Sequence, residues 1–449
     1  MNTTARTTSQ RLARLGVVIT LVATMFVGAA VAAGLAPSTP SPPGGSAVAS
    51  SFDGAASAGD LQAGITSLQV RLERLPGDWQ SWATLGTAYV QQARITADPS
   101  YYDKAEGAFA RSLREQPDGN EPALTGRASL AAGRHDFTAA LGLARQAVKV
   151  NPYGAAAHGL RGDALLELGR YDEAFTAFQR MVDLRPGVPS YARASYAWEL
   201  RGDTPRARAA LEQALAVAYN SADIAFVRYY LGELAWNAGH PAAADRHYVE
   251  GLRRDPSYVP LLAGRAKVAA AQGRKQAAVR GYTEVVGRLP QPSYVIELGD
   301  LYASLDQGAN ARDQYALVAG ERQLLVAAGV NVDLELALYD ADHGRPRAAL
   351  RAARAEWQRR RSVFVEDAYG WALHLNGRSE QALVHARRAQ RLGTRSALFA
   401  FHKGMIEHSL GMRAAARADL RRALRINPGF STLQVPQARR ALAQLAPSS

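Results

Sequence analysis

The chain has 449 residues, 47% of them apolar, and a formal net charge of +13. The apolar share excludes disorder for most of the chain, and the length exceeds what one compact domain usually holds. Because the sequence contains no cysteine, it excludes disulfides, thiol nucleophiles and cysteine-ligated metal sites.

The N-terminal segment predicts export. Arg6, Arg11 and Arg14 precede an uncharged apolar run that ends at residue 36, and its last third contains small-residue cleavage sequences. At 1.5 Å per residue the run also covers about 33 Å, which is enough to span a bilayer. Residues 1–36 are therefore either a cleaved signal peptide or a retained membrane anchor. Both readings place the rest of the chain outside the cytoplasm.

Residues 37–60, rich in Pro, Gly, Ser and Ala, predict a flexible linker. After them, a pattern of two helices and a turn returns at a regular step of about 34 residues. In its first occurrence Trp82, Leu85, Gly86 and Tyr89 fall on one face of a helix. A second helix follows and ends at a proline, and later occurrences keep the same order of small, aromatic and proline positions.

This pattern resembles the tetratricopeptide repeat, whose signature is W-x2-L-G-x2-Y…A-x3-F…P with a period of about 34 residues. The resemblance covers residues 61–445 and implies an all-α fold, a right-handed α-solenoid of about ten helix-turn-helix repeats. A leading helix is expected at 61–75 and a closing helix at 437–445. Stacked repeats of this kind share one core and enclose a concave groove lined by their first helices.

Glycines on the first helices, including Gly86, Gly162 and Gly232, are expected where the second helix of the same repeat packs closest. The alanines of the second helices, such as Ala105 and Ala174, are expected to face them. A glycine inside a helix costs about 1 kcal/mol relative to alanine, so its recurrence indicates a tight contact.

The repeat register predicts which side chains line the groove, although each one taken singly has core packing as its alternative. Exposed aromatics with a few carboxylates are typical of sites for a peptide or an amphipathic helix. The predicted partner-binding residues are Tyr196, Phe226, Tyr229, Glu233, Trp236, Asp300, Trp371 and Phe401.

The C-terminal part, residues 345–449, has 20 basic and six acidic residues. Arginines recur there at steps of four, which predicts one outer face on second helices. The face is either solvated or a docking surface for an anionic lipid or a cell-wall polymer. The arginines of the predicted anionic-surface site are Arg387, Arg391, Arg395, Arg417, Arg421 and Arg425.

No nucleophile elbow, phosphate loop or zinc-helix motif occurs in the sequence. We therefore expect no catalytic residue, no metal site and no cofactor. Asp340, Asp342 and His343 are the nearest approach to a metal cluster and read as a polar helix end. Glu199 and Glu233 are the carboxylate pair that a catalytic reading would use.

The predicted function is a non-catalytic protein–protein interaction scaffold outside the cytoplasmic membrane, either secreted or anchored, that binds a polypeptide in its groove. The alternative is a binder of an anionic envelope surface or polymer through the Arg-rich C-terminal repeats. Export makes a nucleic-acid partner unexpected.

Overall fold

The computed structural model describes residues 58–446, which form 22 helices. The predicted leader at 1–36 lies outside the described residues, as does nearly all of the predicted linker. Within the part that is described, no helix combines the length and the apolar character that crossing a membrane requires.

The helices form ten consecutive antiparallel pairs, with one extra helix before them and one after. The leading helix is α1 (Ala58–Arg74). Repeats 1 to 5 are α2 (Trp79–Thr96) and α3 (Ser100–Glu115), α4 (Glu121–Gly133) and α5 (Phe137–Val150), α6 (Ala155–Glu167) and α7 (Tyr171–Leu184), α8 (Val188–Leu200) and α9 (Thr204–Val217), and α10 (Ser221–Asn237) and α11 (Pro241–Arg254).

Repeats 6 to 10 are α12 (Val259–Ala271) and α13 (Lys275–Arg288), α14 (Pro292–Ala303) and α15 (Gly308–Ala327), α16 (Asp333–Asp342) and α17 (Pro346–Arg359), α18 (Val363–Leu375) and α19 (Ser379–Ala389), and α20 (Ala397–Ser409) and α21 (Arg413–Ile426). The closing helix is α22 (Gln434–Gln444). The prediction of an all-α solenoid of about ten repeats is confirmed.

Local sequence signals explain where the helices begin and end. The side chains of Asp78, Asn120 and Asp203 cap α2, α4 and α9 by accepting a backbone N–H of the first turn. Most turns inside a repeat contain a glycine at positive φ, such as Gly273 at φ 73°. That left-handed conformation costs glycine little and other residues more, so it ends one helix and starts the next.

The small residues of the first helices make room for aromatic rings. A Cβ added to Gly86 would lie 2.6 Å from the ring of Phe109, and one added to Gly126 in the next repeat would clash with the same ring. Tyr248 lies in the same way between Gly232 and Gly264. At these glycines the aromatic ring one helical turn after the second-helix alanine is the nearest neighbour, whereas Gly370 packs against the backbone of Ala382 and Ala386.

The solenoid closes on itself, because each of repeats 2 to 5 touches the chain five repeats further on. The contacts lie where the turn inside an early repeat meets the segment after a later second helix. His135 Nδ1 lies 2.6 Å from the carbonyl oxygen of Asn331, and the Tyr171 hydroxyl accepts the N–H of Val363 at 2.7 Å.

The same contact recurs twice more. Thr394 Oγ1 donates to the carbonyl oxygen of Leu200 at 2.5 Å, and Asn427 Nδ2 donates to that of Trp236 at 2.9 Å. These four contacts, 191 to 196 residues apart in sequence, are called the seam. The seam joins successive turns of the superhelix and surrounds its interior.

Glycine makes the seam this close. Cβ atoms added to Gly169, Gly202 and Gly239 would clash with the carbonyl oxygens of Arg361, Gly393 and Ile426 respectively. The corresponding glycines of later repeats, Gly273, Gly377 and Gly411, have nothing within 4 Å of an added Cβ. At three of the four seam contacts, close backbone approach and not only positive φ therefore requires glycine; at the fourth, His135 occupies the turn position at φ 60°.

Candidate functional site

The interior of the closed superhelix holds a cavity of about 1650 Å³. Its wall comes mainly from the first helices of repeats 3 to 7, with contributions from α2, α15, α16 and the segments that form the seam. Typical small-molecule pockets have about 300–1,000 Å³, so this cavity has room for a larger guest. The side chains that give it its chemical character are Arg94, Tyr196, Glu199, Phe226, Tyr229, Tyr230, Glu233, Tyr258, Lys267, Tyr294, Glu297 and Asp300.

Tyrosines dominate one side of the cavity. Tyr229 and Tyr230 are neighbours on α10, with ring centroids 5.1 Å apart, and Phe226 lies 4.8 Å from Tyr230 one turn earlier. Tyr258, at the start of α12, has its ring centroid 6.4 Å from that of Tyr229. These rings form one continuous aromatic surface in which tyrosine supplies an apolar face and a polar end.

The tyrosine hydroxyl groups are available to a guest. In residues 58–446, no hydrogen bond joins the hydroxyl groups of Tyr229, Tyr230, Tyr258 or Tyr294 to the protein. Burial raises the pKa of all four, to about 12 for Tyr258, so each remains a neutral donor and acceptor at physiological pH.

Carboxylates line the neighbouring part of the wall. Both oxygens of Glu233 accept from Lys267 Nζ, at 2.8 and 2.7 Å, and one of them also accepts from the Tyr248 hydroxyl at 2.6 Å. Asp300 accepts from the Tyr315 hydroxyl at 2.8 Å and lies 2.8 Å from His343 Nε2. These two carboxylates are thus held by a cationic or protonatable partner.

Glu199 and Glu297 are held only by neutral donors. Asn237 Nδ2 donates to Glu199 at 2.9 Å, and the Tyr282 hydroxyl donates to Glu297. Burial raises the pKa of Glu199, and the charge of Glu233 raises it further. Burial likewise raises the pKa of Glu297, against the opposing charge of Lys267. Both groups would gain from a cation brought into the cavity.

Six of the eight predicted groove residues line the cavity: Tyr196, Phe226, Tyr229, Glu233, Trp236 and Asp300. Trp236 does so with only 6% of its surface exposed, because Gly429 packs against its ring and Asn427 binds its carbonyl oxygen. Glu199 and Glu233, the carboxylate pair of the catalytic reading, both line the cavity as well.

Trp371 and Phe401 do not line it, contrary to the prediction. Trp371 stacks on His402 at a centroid distance of 4.3 Å and donates its indole N–H to Asp342. Phe401 is completely buried and packs against Phe430. The segment after α21, including Phe430 and α22, folds back over the last repeats and converts their concave face into core.

The six predicted surface arginines separate into two groups. Arg391 and Arg395 were predicted to lie on a second helix. They do not, because α19 ends at Ala389. Arg391 instead donates to the carbonyl oxygen of Arg361 at 2.9 Å, and Arg395 lines the cavity beside Gly202. Both are used at the seam.

Arg417 donates to the carbonyl oxygen of Leu445 and is thereby tied to the end of α22. Arg387, Arg421 and Arg425 are exposed, and none forms an ion pair within residues 58–446. The outer basic face therefore consists of these three residues and their exposed neighbours on α17, α19 and α21.

Sequence reasoning did not name Tyr230, Tyr258, Lys267, Tyr294 or Glu297 as site residues. One signal was present, because Glu199, Glu233 and Lys267 follow one another at the repeat step of about 34 residues. That spacing places successive side chains on the same side of neighbouring first helices. Within the described residues, no three His, Asp or Glu side chains are grouped to hold a metal ion.

The repeat units match known family models. One model, described as a tetratricopeptide repeat, matches residues 125–189 and 229–291, and a second with the same description matches 399–430. The chain therefore contains tetratricopeptide repeats. No curated protein matches its sequence.

Solved structures with a similar fold include tetratricopeptide repeat proteins. TTC0263, a thermophilic TPR protein in Thermus thermophilus, is 23% identical over 43% of this chain and 97% of its own, with a TM-score of 0.37. PilW, a type IV pilus biogenesis factor, is 22% identical over 46% and 94%, with a TM-score of 0.36. The human IFIT1 dimer with m7Gppp-AAAA is 12% identical over 75% and 87%, with a TM-score of 0.45. These likenesses concern the fold alone.

Proposed function

We propose that this protein is a non-catalytic scaffold that holds a segment of a partner polypeptide inside its cavity. The observation that carries the proposal is the cavity itself, with tyrosine hydroxyls and carboxylates on an aromatic wall. A peptide backbone offers donors and acceptors along its whole length, and unpaired tyrosine hydroxyls match both. Rigid aromatic rings supply contact area at low conformational cost.

Site-specific photo-crosslinking in the native host tests this proposal. A photoreactive phenylalanine replaces Phe226, which lines the cavity, and in a control replaces Tyr153, which is 76% exposed and outside it. We expect discrete crosslinked polypeptides from position 226 and not from position 153. Equal crosslinking from both positions, or none from position 226, contradicts the proposal.

We also propose that the protein acts outside the cytoplasmic membrane. The support is the sequence of residues 1–36, in which three arginines precede a long apolar run. Alkaline phosphatase, which is active only after export, fused after residue 60 tests this. We expect activity from the complete leader and its loss when residues 15–36 are deleted; activity that persists after the deletion contradicts export by this segment.

A second candidate function rests on the outer basic face. Arg387, Arg421 and Arg425 are exposed without an ion-pair partner in the described residues, which favours an anionic lipid surface or wall polymer. Binding to vesicles of anionic lipid should fall steeply with salt and drop when all three are changed to Glu. Binding that is insensitive to this change rejects the candidate without affecting the cavity proposal.

A further inference from the structure

The cavity has an imbalance of charge where its carboxylates are concentrated. Glu199, Glu233, Glu297 and Asp300 all project from the first helices α8, α10 and α14. Lys267 forms its ion pair with Glu233, at 2.7 Å. His343 pairs with Asp300. Two carboxylates, Glu199 and Glu297, are left with neutral hydrogen-bond donors.

The arginines that line the cavity elsewhere do not correct this imbalance. Arg193 pairs with Asp163 at 2.8 Å, and Arg322 is 3.7 Å from Asp340. Arg94 enters from α2 on the side of Tyr230 and Tyr258, and its electrostatic neighbours there are tyrosines and Arg193. Arg254, Arg360 and Arg395 also line the cavity, and within the described residues no arginine forms an ion pair with Glu199 or Glu297.

A further acidic group faces the same space from α18. Asp367 lines the cavity with 3% of its surface exposed. One of its carboxylate oxygens lies 2.8 Å from His402 Nδ1, and the other has no hydrogen-bond partner in the described residues. A buried acceptor without a partner is unfavourable, so a donor from a guest would be stabilised there.

Aromatic rings adjoin the two carboxylates. Burial raises the pKa of Tyr230 and of Tyr294. The charges of Glu233 and Glu199 raise the pKa of Tyr230 further, against the charge of Arg94, and the charge of Glu297 raises that of Tyr294. A cation over a tyrosine ring within about 6 Å is attracted by the ring and by the carboxylate behind it. Rings and carboxylates together suit a cationic side chain carried by an extended chain.

We propose that the polypeptide held in the cavity places one lysine or arginine side chain beside Tyr230, against Glu199, and another beside Tyr294, against Glu297. This inference rests on the proposed function and specifies its partner as a basic segment. The guest's cations pair with two carboxylates that form no ion pair with the protein within the described residues. Neutral and acidic segments lack this contact, so the site discriminates by charge.

A random library of 12-residue peptides displayed on phage tests the inference with the full chain as bait. We expect selected peptides to share lysine or arginine residues at fixed positions. The same selection with the double variant E199Q/E297Q should lose that preference. The matched control E212Q/E380Q, which removes two charges from exposed sites outside the cavity, should keep it.

The selected peptide then gives a quantitative readout by fluorescence anisotropy. We expect E199Q/E297Q to weaken its binding at least tenfold, which corresponds to about 1.4 kcal/mol, with E212Q/E380Q unchanged. The charge-retaining variant E199D/E297D, whose thermal unfolding is measured beside the others, should bind more tightly than E199Q/E297Q.

The outcomes separate the two proposals. Peptides selected without a basic residue, or equal binding by wild type and E199Q/E297Q, overturn the basic-segment inference and leave the cavity as a peptide site. If no peptide is enriched and no crosslink forms at position 226, the proposed function itself fails. Selection of basic peptides that the control variant also loses overturns the assignment to Glu199 and Glu297.

Discussion

Residues at the same repeat position have different surroundings in the early and the late repeats. Tyr229 lies three residues before the packing glycine Gly232, and Phe401 lies three residues before Gly404. Tyr229 faces the cavity, whereas Phe401 is completely buried. The difference comes from what lies in front of each residue: the seam leaves a space in front of Tyr229, whereas Phe430 and α22 belong to the core cluster that contains Phe401.

The early and late repeats also differ at the position that follows the packing glycine of the first helix. Glu233 follows Gly232 and lines the cavity, where Lys267 balances it. Trp371 follows Gly370 and is 4% exposed within the core. A repeat position therefore defines the side of the solenoid on which a residue lies. Whether that residue lines the cavity or is buried in the core depends on which other part of the chain packs against it.

The largest effect of a single substitution on stability is expected when the ring of Phe401 is removed, and removal of the ring of Tyr229 provides the comparison. Phe401→Ala should lower the free energy of unfolding by about 3–5 kcal/mol, as for other fully buried aromatic residues. Tyr229→Ala removes a ring that borders the cavity and should cost about 1 kcal/mol. Urea unfolding followed by circular dichroism measures both. Equal losses would mean that the two faces are packed alike and that the cavity is not an open site.

At the seam we expect a change of shape in addition to a loss of stability. The triple variant G169A/G202A/G239A should separate the two turns of the superhelix, because each added Cβ meets a carbonyl oxygen. The control G273A/G377A/G411A has the same cost of a left-handed backbone, about 1–2 kcal/mol per residue, but its added Cβ atoms contact no other part of the protein.

Small-angle X-ray scattering distinguishes the two triple variants. We expect a larger radius of gyration only for the seam variant, together with a loss of peptide binding. If both variants lose stability equally and keep the wild-type radius, the seam does not hold the superhelix closed.

The smallest effect is a pH dependence of stability, with opposite signs for His374 and His343. Burial lowers the pKa of His374 to about 4, and the charge of His402 adds to this. Since an unfolded histidine titrates near about 6.5, stability should fall as the pH drops from about 6.5 towards about 4. Burial alone would lower the pKa of His343, but the hydrogen bond and charge of Asp300 raise it.

His343 therefore stabilises the fold below about pH 6.5, and that contribution is lost as the pH rises through its raised pKa. Melting temperatures between pH 4 and pH 8 measure both effects. We expect His374→Gln to reduce the loss on the acidic side and His343→Gln to reduce the loss on the alkaline side. Unchanged profiles would show that neither histidine is linked to folding.

The sequence predicts those contacts that join residues within one repeat or in neighbouring repeats. Gly86 and Phe109 belong to the same repeat, and their contact follows from the period and from the need to bury each apolar stripe. The pairing of His135 with Asn331 does not, because it depends on small rotations summed over five repeats. No residue pattern records that sum, so the closed cavity could not be foreseen.

The same limit explains the residues that were misplaced. The repeat register gives Trp371 and Phe401 the same positions as Glu233 and Tyr229, and the return of the chain at Phe430 and beyond makes these positions part of a core. Arg391 and Arg395 were placed on a helix that ends earlier, at Ala389. Their use at the seam again depends on distant parts of the chain.

The central claim, that the cavity is where a polypeptide binds, is tested most directly by filling it. Because the chain has no cysteine, Ser293→Cys places a single thiol on the cavity wall and Ser100→Cys places one on the exposed surface. Each variant is labelled with a bulky maleimide, and binding of the selected peptide is measured by anisotropy before and after labelling. We expect labelling at position 293 to abolish binding and labelling at position 100 to leave it unchanged. Undiminished binding after complete labelling at position 293 would contradict the account.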